Sequence, residues 1–215
     1  MLIPLRPGEL VRLVPTVATA PQFNACFGPF RKLLQRILVS VIGGVLSLLI
    51  SQGLSMRSQF APVMLVIGVV FALYLLWGPI LEASRRNASL RRYPAAALFE
   101  GEVVEVQRRD VVEERREQAD SSGRLELVEN HRTWLSLELA DEDGYLGQLR
   151  FPMEKKHQQI RRGMTVRALV LSERKDFSRI GALSDAWLPQ LQLWVGEYPY
   201  LLRPAFEELC LRRLR

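Results

Sequence analysis

The sequence contains little cysteine and histidine, and this shortage excludes several classes of protein. Among 215 residues there are two cysteines, Cys26 and Cys210, which lie far apart in unrelated contexts. They exclude a disulfide scaffold and favour a reducing compartment. Of the two histidines, His131 has no cysteine nearby, and His157 has only Glu154 three positions before it. We therefore expect solvated surface histidines and no metal site.

The motifs of common enzyme classes are also missing. The sequence has no Gly-rich phosphate loop ending in Lys-Ser or Lys-Thr and no Gly-x-Ser-x-Gly elbow. The run Glu113–Glu117 mixes both signs of charge, which predicts an extended face or a loop and not a catalytic pair. The sequence thus predicts a protein that is not an enzyme, with no catalytic residues and no cofactor.

Charge is divided unevenly along the chain. The 29 Lys and Arg against 23 Asp and Glu give a net charge of +6. Residues 1–98 hold 10 basic and 2 acidic residues, a net of +8, whereas residues 99–215 hold 19 and 21, a net of −2. The basic excess therefore lies in the more apolar half, which favours a membrane surface as partner and argues against nucleic acid.

Two long stretches, residues 38–54 and 60–81, contain no charged side chain. As helices they would rise about 25 and 33 Å, close to the ~30 Å thickness of a bilayer core. The short polar segment Ser55–Gln59 joins them, so we expect a two-helix transmembrane hairpin, the alternative being a buried helical pair. Small residues recur at helical spacing and predict close packing of the two helices: Ser40, Gly44, Ser47 and Ser51, with Ala61, Gly68 and Ala72.

Basic residues flank the two stretches on one side. Five precede the first stretch, four follow the second, and only Arg57 lies between them. This asymmetry predicts that both termini face the cytoplasm. The four that follow are expected to contact the anionic headgroups of the lipid bilayer: Arg85, Arg86, Arg91 and Arg92.

From Phe99 onward, apolar and polar residues alternate with a period of two and turn signals separate the segments. This pattern predicts strands at Phe99–Val106, Arg124–Val128, Thr133–Leu139, Tyr145–Phe151, Thr165–Leu171 and Ile180–Leu183, with turns such as Asp120–Gly123. Closing such a sheet would remove its free edges, which favours a small antiparallel barrel of the OB or SH3-like type. A short helix is predicted over Arg203–Arg213.

The predicted architecture is that of an α+β membrane protein with three parts. Residues 1–36 form an amphipathic N-terminal segment that lies either in the headgroup layer or on the folded domain. Residues 37–94 form the transmembrane hairpin with a basic juxtamembrane helix end, and residues 95–215 form the cytoplasmic β domain. An aromatic run near the C-terminus either packs on this domain or docks a partner: Trp187, Trp194, Tyr198 and Tyr200.

Several motifs resemble a family of small two-span membrane proteins of cyanobacteria that are often labelled phosphate ABC transporter permease. The resemblance covers nearly the whole chain and is carried by Leu76-Trp77-Gly78-Pro79-Ile80, Ala83-Ser84-Arg85-Arg86-Asn87, Arg91-Arg92-Tyr93-Pro94, Ser178-Arg179-Ile180, Leu183-Ser184-Asp185 and Trp194-Val195-Gly196-Glu197-Tyr198-Pro199-Tyr200-Leu201. It implies a thylakoid or plasma-membrane location. Two spans without a charged or histidine side chain offer no phosphate site, so the label indicates association with a transport complex rather than permeation.

The leading hypothesis is a non-enzymatic integral membrane accessory protein that assembles or stabilises a larger membrane protein complex, in keeping with a photosynthetic membrane. The alternative is an accessory or permease-like subunit of a phosphate ABC transporter. A lipid-binding or membrane-shaping role is a third hypothesis, and formation of a homo-oligomer stays open.

Overall fold

The protein is described by a computed structural model that covers residues 1–53, 60–119 and 125–214, with only the backbone described for 60–61, 113–119 and 125–130. It is a mixed α+β structure that divides into two compact units. Val14–Leu90 form one, named here the helical unit, and Met1–Leu13 with Arg91–Arg215 form the other, named the β unit. The expected connection Ser55–Gln59 and the expected turn Asp120–Gly123 lie outside the described residues.

The described residues of the helical unit form four helices: α2 (Ala20–Phe27), α3 (Phe30–Gly53), α4 (Phe60–Ala72) and α5 (Tyr74–Arg91), the last of which ends at the boundary of the unit. Helix α3, with 24 residues, is the one helix in the described part of the chain that is by itself long and apolar enough to cross a membrane. Only 11% of its most apolar stretch is buried. One candidate membrane helix is therefore present.

Small residues let α3 and α4 approach closely. The Ser47 hydroxyl donates a hydrogen bond of 2.5 Å to the carbonyl of Met64. A Cβ atom on Gly68 would lie 3.2 Å from the Cβ of Ser47, and one on Gly43 would collide with the ring of Phe71. The predicted packing through small residues is confirmed at Ser47 and Gly68, whereas the side chain of Ala61 lies outside the described residues.

The second apolar stretch is not one straight helix. The axes of α4 and α5 differ by 71°, with the break at Leu73. The indole of Trp77 donates a 2.8 Å hydrogen bond to the carbonyl of Val70, the group whose helical partner would be the N–H at position 74. A side chain that enters the helical hydrogen-bond ladder in this way is a recognised cause of a sharp kink. Hydropathy alone could not reveal this break, because the run stays apolar across it.

The β unit contains a curled, seven-stranded antiparallel sheet. Its strands are β1 (Leu2–Pro4), β2 (Ala95–Ala119), β3 (Leu125–Ala140), β4 (Leu146–Pro152), β5 (Thr165–Ser172), β6 (Ile180–Leu188) and β7 (Leu193–Val195). The strand order is β4-β3-β2-β5-β6-β7, and β1 pairs with β2.

Strand β2 organises this sheet because it changes partner along its length. Ala95–Glu102 pair with β5, and from Glu102 onward the strand pairs with β3 as far as Ala119. Gly101 stands at the changeover, where a Cβ atom would collide with the carbonyl of Ala140.

The expected strand Phe99–Val106 is part of the long strand β2, whose backbone also includes the mixed-charge run Glu113–Glu117. The expected strands Arg124–Val128 and Thr133–Leu139 fall in the long strand β3, apart from Arg124, which lies outside the described residues. The other three expected strands correspond to β4, β5 and β6.

The core of the β unit consists mainly of apolar side chains from β2 to β7, and its largest members include Phe99, Leu137 and Phe151, each 0% exposed. Helix α6 (Arg203–Arg213) forms where a short helix was predicted and buries Phe206, Leu209 and Cys210. Helix α1 (Glu9–Leu13) packs near it, with the N–H of Leu202 donating to the carbonyl of Leu13 at 2.8 Å.

Candidate membrane-interface site

A charged cluster lies at one end of the helical unit and consists of Lys32, Arg36, Glu82 and Arg86, named here the Arg36 cluster. The guanidinium of Arg36 donates from Nη1 to the carbonyl of Phe27 and from Nη2 to that of Cys26, each at 2.9 Å. These carbonyls end α2, so a cation satisfies groups that the helix itself leaves unpaired. Arg36 therefore holds α2 against α3.

Glu82 brings α5 into the same cluster. Its Oε2 lies 2.9 Å from Arg36 Nη2, and its Oε1 lies 3.1 Å from Arg86 Nη2 and 3.8 Å from Lys32 Nζ. Glu82 is the sole carboxylate in the sequence of residues 14–90, which contain six Lys and Arg. One carboxylate shared by three cations leaves this unit with a net positive charge.

A buried, uncharged side chain, that of Asn87, connects α5 to α2. The side chain of Asn87 is fully buried and donates from Nδ2 to the carbonyl of Pro15 at 3.0 Å and to Gln22 Oε1 at 2.9 Å. Gln22 Oε1 also accepts from the N–H of Thr19 at 3.1 Å, at the start of α2. Buried amides that are hydrogen-bonded in this way specify one arrangement of α2 and α5.

The four arginines expected to contact lipid occupy different environments. Arg85 is exposed, whereas Arg86 is half-buried and paired with Glu82. Arg91 is half-buried and Arg92 exposed, and both belong to the β unit. Sequence reasoning missed Arg36 and Glu82, although each borders an uncharged stretch, immediately before Ile37 and immediately after Leu81.

The aromatic run of the β unit is engaged within that unit. The rings of Trp187 and Trp194 stack at 6.3 Å, with the guanidinium of Arg167 at 5.6 Å from the first and that of Arg203 at 5.4 Å from the second. Such alternation of cations and indole faces stabilises a packed surface. The two tryptophans thus join β5, β6, β7 and α6, and docking of a partner by them stays a prediction.

Tyr198 and Tyr200 follow β7 and lie near a buried carboxylate. Tyr198 is 3% exposed, and its ring meets that of Tyr200 edge-on at 4.7 Å. The N–H of Leu201 donates to Asp185 Oδ1 at 3.0 Å, and a Cβ atom on Gly196 would lie 2.9 Å from the Asp185 Cβ. Burial raises the pKa of Asp185 to about 7, against the hydrogen bond from Leu201, which lowers it. Asp185 therefore joins the C-terminal segment to β6.

Comparison with known families is decisive on one point. The chain matches the model described as "Family of unknown function (DUF8619)" over residues 3–215. It belongs to this family. No curated protein and no solved structure matches the chain.

The match to DUF8619 covers both the helical unit and the β unit. Within the described residues no group of three or more His, Cys, Asp or Glu is arranged to hold a metal ion.

The expectation of a solvated His157 is wrong. Its side chain is 6% exposed, accepts a hydrogen bond from the N–H of Glu154 at 3.1 Å, and lies edge-on to Phe151. Burial lowers the pKa of His157 because it disfavours the charged imidazolium. Its apolar neighbour Phe151 belongs to a neighbouring strand, and sequence spacing does not reveal that contact.

Proposed function

We propose that this protein is a non-enzymatic integral membrane accessory protein whose helical unit anchors the β unit to a membrane. The observation that carries the proposal is α3, whose apolar side chains point outward. A core helix of a soluble protein would be mostly buried, whereas only 11% of the apolar stretch of α3 is buried. Outward-facing residues include Leu38, Val41, Val45, Leu48 and Leu49.

In this proposal α3 and α4 form the hairpin, and the ends of the chain face the cytoplasm. The basic residues on one side of the uncharged stretches support this orientation. The curled sheet would close into a small barrel of the OB or SH3-like type, supported by the approach of β4 to β6. Closure would protect the edge strand β4.

The anchor is tested by alkaline carbonate extraction of membranes that contain the full chain. We expect the protein to stay in the membrane fraction, and to be released when Val45 and Leu48, both about half-exposed on α3, are replaced by lysine. Leu146→Lys is the matched control, because Leu146 is 77% exposed on β4 and should tolerate charge. Release of the unmodified protein by carbonate would overturn the anchor.

The role that we assign to the anchored β unit is the assembly or stabilisation of a larger complex in a thylakoid or plasma membrane. The half-buried tryptophans of the β unit support a protein partner, since indoles are frequent anchors of interfaces. Gentle detergent extraction, native gels and mass spectrometry of the co-migrating proteins test it. Migration solely as a monomer or homo-oligomer would count against this role.

Deletion of the protein separates this role from the transport alternative. Loss of phosphate uptake with unchanged membrane complexes would favour a subunit of a phosphate ABC transporter, as the sequence resemblance implies. Loss of a membrane complex with normal uptake would favour the accessory role.

A further inference from the structure

Helix α4 is short for a membrane crossing, and the chain turns sharply where it ends. Its 13 residues, Phe60–Ala72, rise about 20 Å, against about 30 Å for a bilayer core. The 71° change of direction follows at once. If α4 runs along the bilayer normal, a bend this close to a right angle leaves α5 nearly parallel to the membrane plane.

The bend is held by specific contacts. Besides the hydrogen bond from the Trp77 indole to Val70, the rings of Tyr74 and Trp77 meet edge-on at 4.9 Å. Gly78 leaves room for the Tyr74 ring, to which a Cβ atom would come within 3.3 Å. Indole and phenol rings prefer the boundary between headgroups and acyl chains. The bend therefore has the composition of an interfacial segment.

The outward surface of α5 has an apolar part and a cationic part. Leu76 is 58% exposed and Ile80 is 40% exposed, four residues apart on one side. Leu81 and Arg85, also four residues apart, are exposed on another side. Because Glu82 is already shared by Arg36 and Arg86, the charge that α5 presents at Arg85 is positive.

The start of α3 lies at the same end and adds to this surface. Lys32 approaches Glu82, and its neighbours Phe30 and Arg31 are exposed, Phe30 at 76%. An exposed aromatic ring beside exposed cations fits a layer of anionic phosphates above apolar chains.

We propose that α5 lies in the headgroup layer of an anionic bilayer and does not continue the second crossing, and that Arg85 contacts the lipid phosphates there. This inference rests on the proposed membrane anchor. It replaces a straight crossing over residues 60–81 by a crossing that ends at Ala72 and an interfacial helix.

Depth measurements separate the two arrangements. Nitroxide labels are placed singly, through cysteine substitution, at Leu76 and Ile80 of α5 and at Val66 and Val70 of α4, all of them exposed. The native Cys26 and Cys210 are 1% and 0% exposed, so they stay unlabelled in the folded protein. The full chain is reconstituted in vesicles of phosphatidylcholine and phosphatidylglycerol.

Two labels four residues apart differ in depth by about 6 Å on a helix along the normal, and by about 2 Å on a helix near the plane. We expect the larger step between Val66 and Val70, and both α5 labels at one shallow depth. An equally large step from Leu76 to Ile80 would overturn the inference and leave the anchor intact. Four labels outside the acyl region would overturn the anchor itself.

The phosphate contact is tested separately through lipid preference. A fluorophore at Ile80 is quenched by brominated phosphatidylglycerol or by brominated phosphatidylcholine in mixed vesicles. We expect stronger quenching by the anionic lipid, with the preference reduced about fivefold by Arg85→Gln. Arg174→Gln, an exposed arginine of the β unit, is the control for the lost charge. An unchanged preference in Arg85→Gln would overturn the contact.

Discussion

The two units place polar and apolar groups in opposite ways. The β unit buries large apolar side chains such as Phe99, Leu137 and Phe151. The helical unit buries Val14 and Leu90 but otherwise mainly small or polar residues, among them Ser47, Arg36 and Asn87, and most of its large apolar side chains are exposed. The difference indicates two rules of stability in one chain, burial of apolar area in the β unit and close packing with hydrogen bonds in the helical unit, as the proposed membrane anchor requires.

Removal of a large core side chain from the β unit should have the largest effect on stability. Phe151 is fully buried, so Phe151→Ala is expected to lower the free energy of unfolding by about 3–5 kcal/mol. Chemical denaturation followed by near-ultraviolet circular dichroism measures it. Leu146→Ala on the same strand should change stability by less than about 0.5 kcal/mol, since Leu146 is exposed. Equal effects would contradict the assignment of the core.

A titration tests Asp185, a buried acid of the β unit that departs from the rule of apolar burial. The folded pKa of Asp185, about 7, lies above its ordinary value of 3.8, so the folded state binds the proton more tightly. Protonation of Asp185 stabilises the folded state by about 4 kcal/mol below about pH 4, and this contribution is lost as pH rises through 7. Denaturation at a series of pH values should show this loss.

Asp185→Asn keeps an acceptor for the Leu201 N–H and cannot ionise, so it should remove this fall in stability between pH 4 and 7. The opposite contribution of His157, whose lowered pKa makes stability rise with pH, should remain. Asp176→Asn, at an exposed carboxylate with a lowered pKa, should leave that part of the curve unchanged. A fall in stability from pH 4 to 7 that persists in Asp185→Asn would assign the titration to another group.

In the helical unit the polar contacts should matter more than apolar area. Arg36→Met removes the partner of two helix-ending carbonyls and of Glu82, and we expect a loss of about 2–4 kcal/mol in detergent-solubilised protein. Adding Glu82→Gln should recover part of this loss, because no carboxylate is then left without its main cation. Arg85→Met, at an exposed position, is the control. If the double variant lost as much free energy of unfolding as the two single variants together, Arg36 and Glu82 would be energetically uncoupled.

Close packing of α3 and α4 should give the smallest of these effects. Gly68→Leu is expected to cost about 1–3 kcal/mol, because the new side chain would meet Ser47 and separate the helices. Gly53→Leu is the matched control, since no described atom lies within 4 Å of a Cβ atom placed there. Thermal unfolding in micelles, followed by helical circular dichroism, compares them. Equal melting temperatures would show that the helices do not need this contact.

The parts of the fold that sequence predicts are those encoded by local periodicity. Alternation with a period of two predicted strands of the sheet, helical spacing of apolar residues predicted the face of α6 that buries Phe206, and the spacing of small residues predicted the contact between Ser47 and Gly68. The charged run Glu113–Glu117 has a poor strand pattern, and its place in β2 follows from pairing with β3. Tertiary pairing of this kind overrides local preference.

The candidate site was less predictable because its contacts join distant positions. Arg36 reaches the carbonyls of Cys26 and Phe27 across a helix end and Glu82 across 46 positions. The bend at Leu73 depends on a hydrogen bond from Trp77, which hydropathy does not record. The sequence features that mark this bend are the aromatic residues Tyr74 and Trp77 and the Gly78 that follows them.

The connectivity of the β unit has a consequence for synthesis. Strand β1 pairs with β2, and Glu9 forms a 3.1 Å ion pair with Arg213, although the whole helical unit is translated between the members of each pair. The 204 positions that separate Glu9 from Arg213 take about 10–40 s to synthesise. During this interval Glu9 has no Arg213 to pair with, whereas Leu2–Pro4 of β1 can pair once Ala97–Phe99 of β2 have been made. The sheet can be completed only after the helices have left the ribosome, and the chain then joins the two units at two points, so that a cut in either connection leaves them tethered by the other.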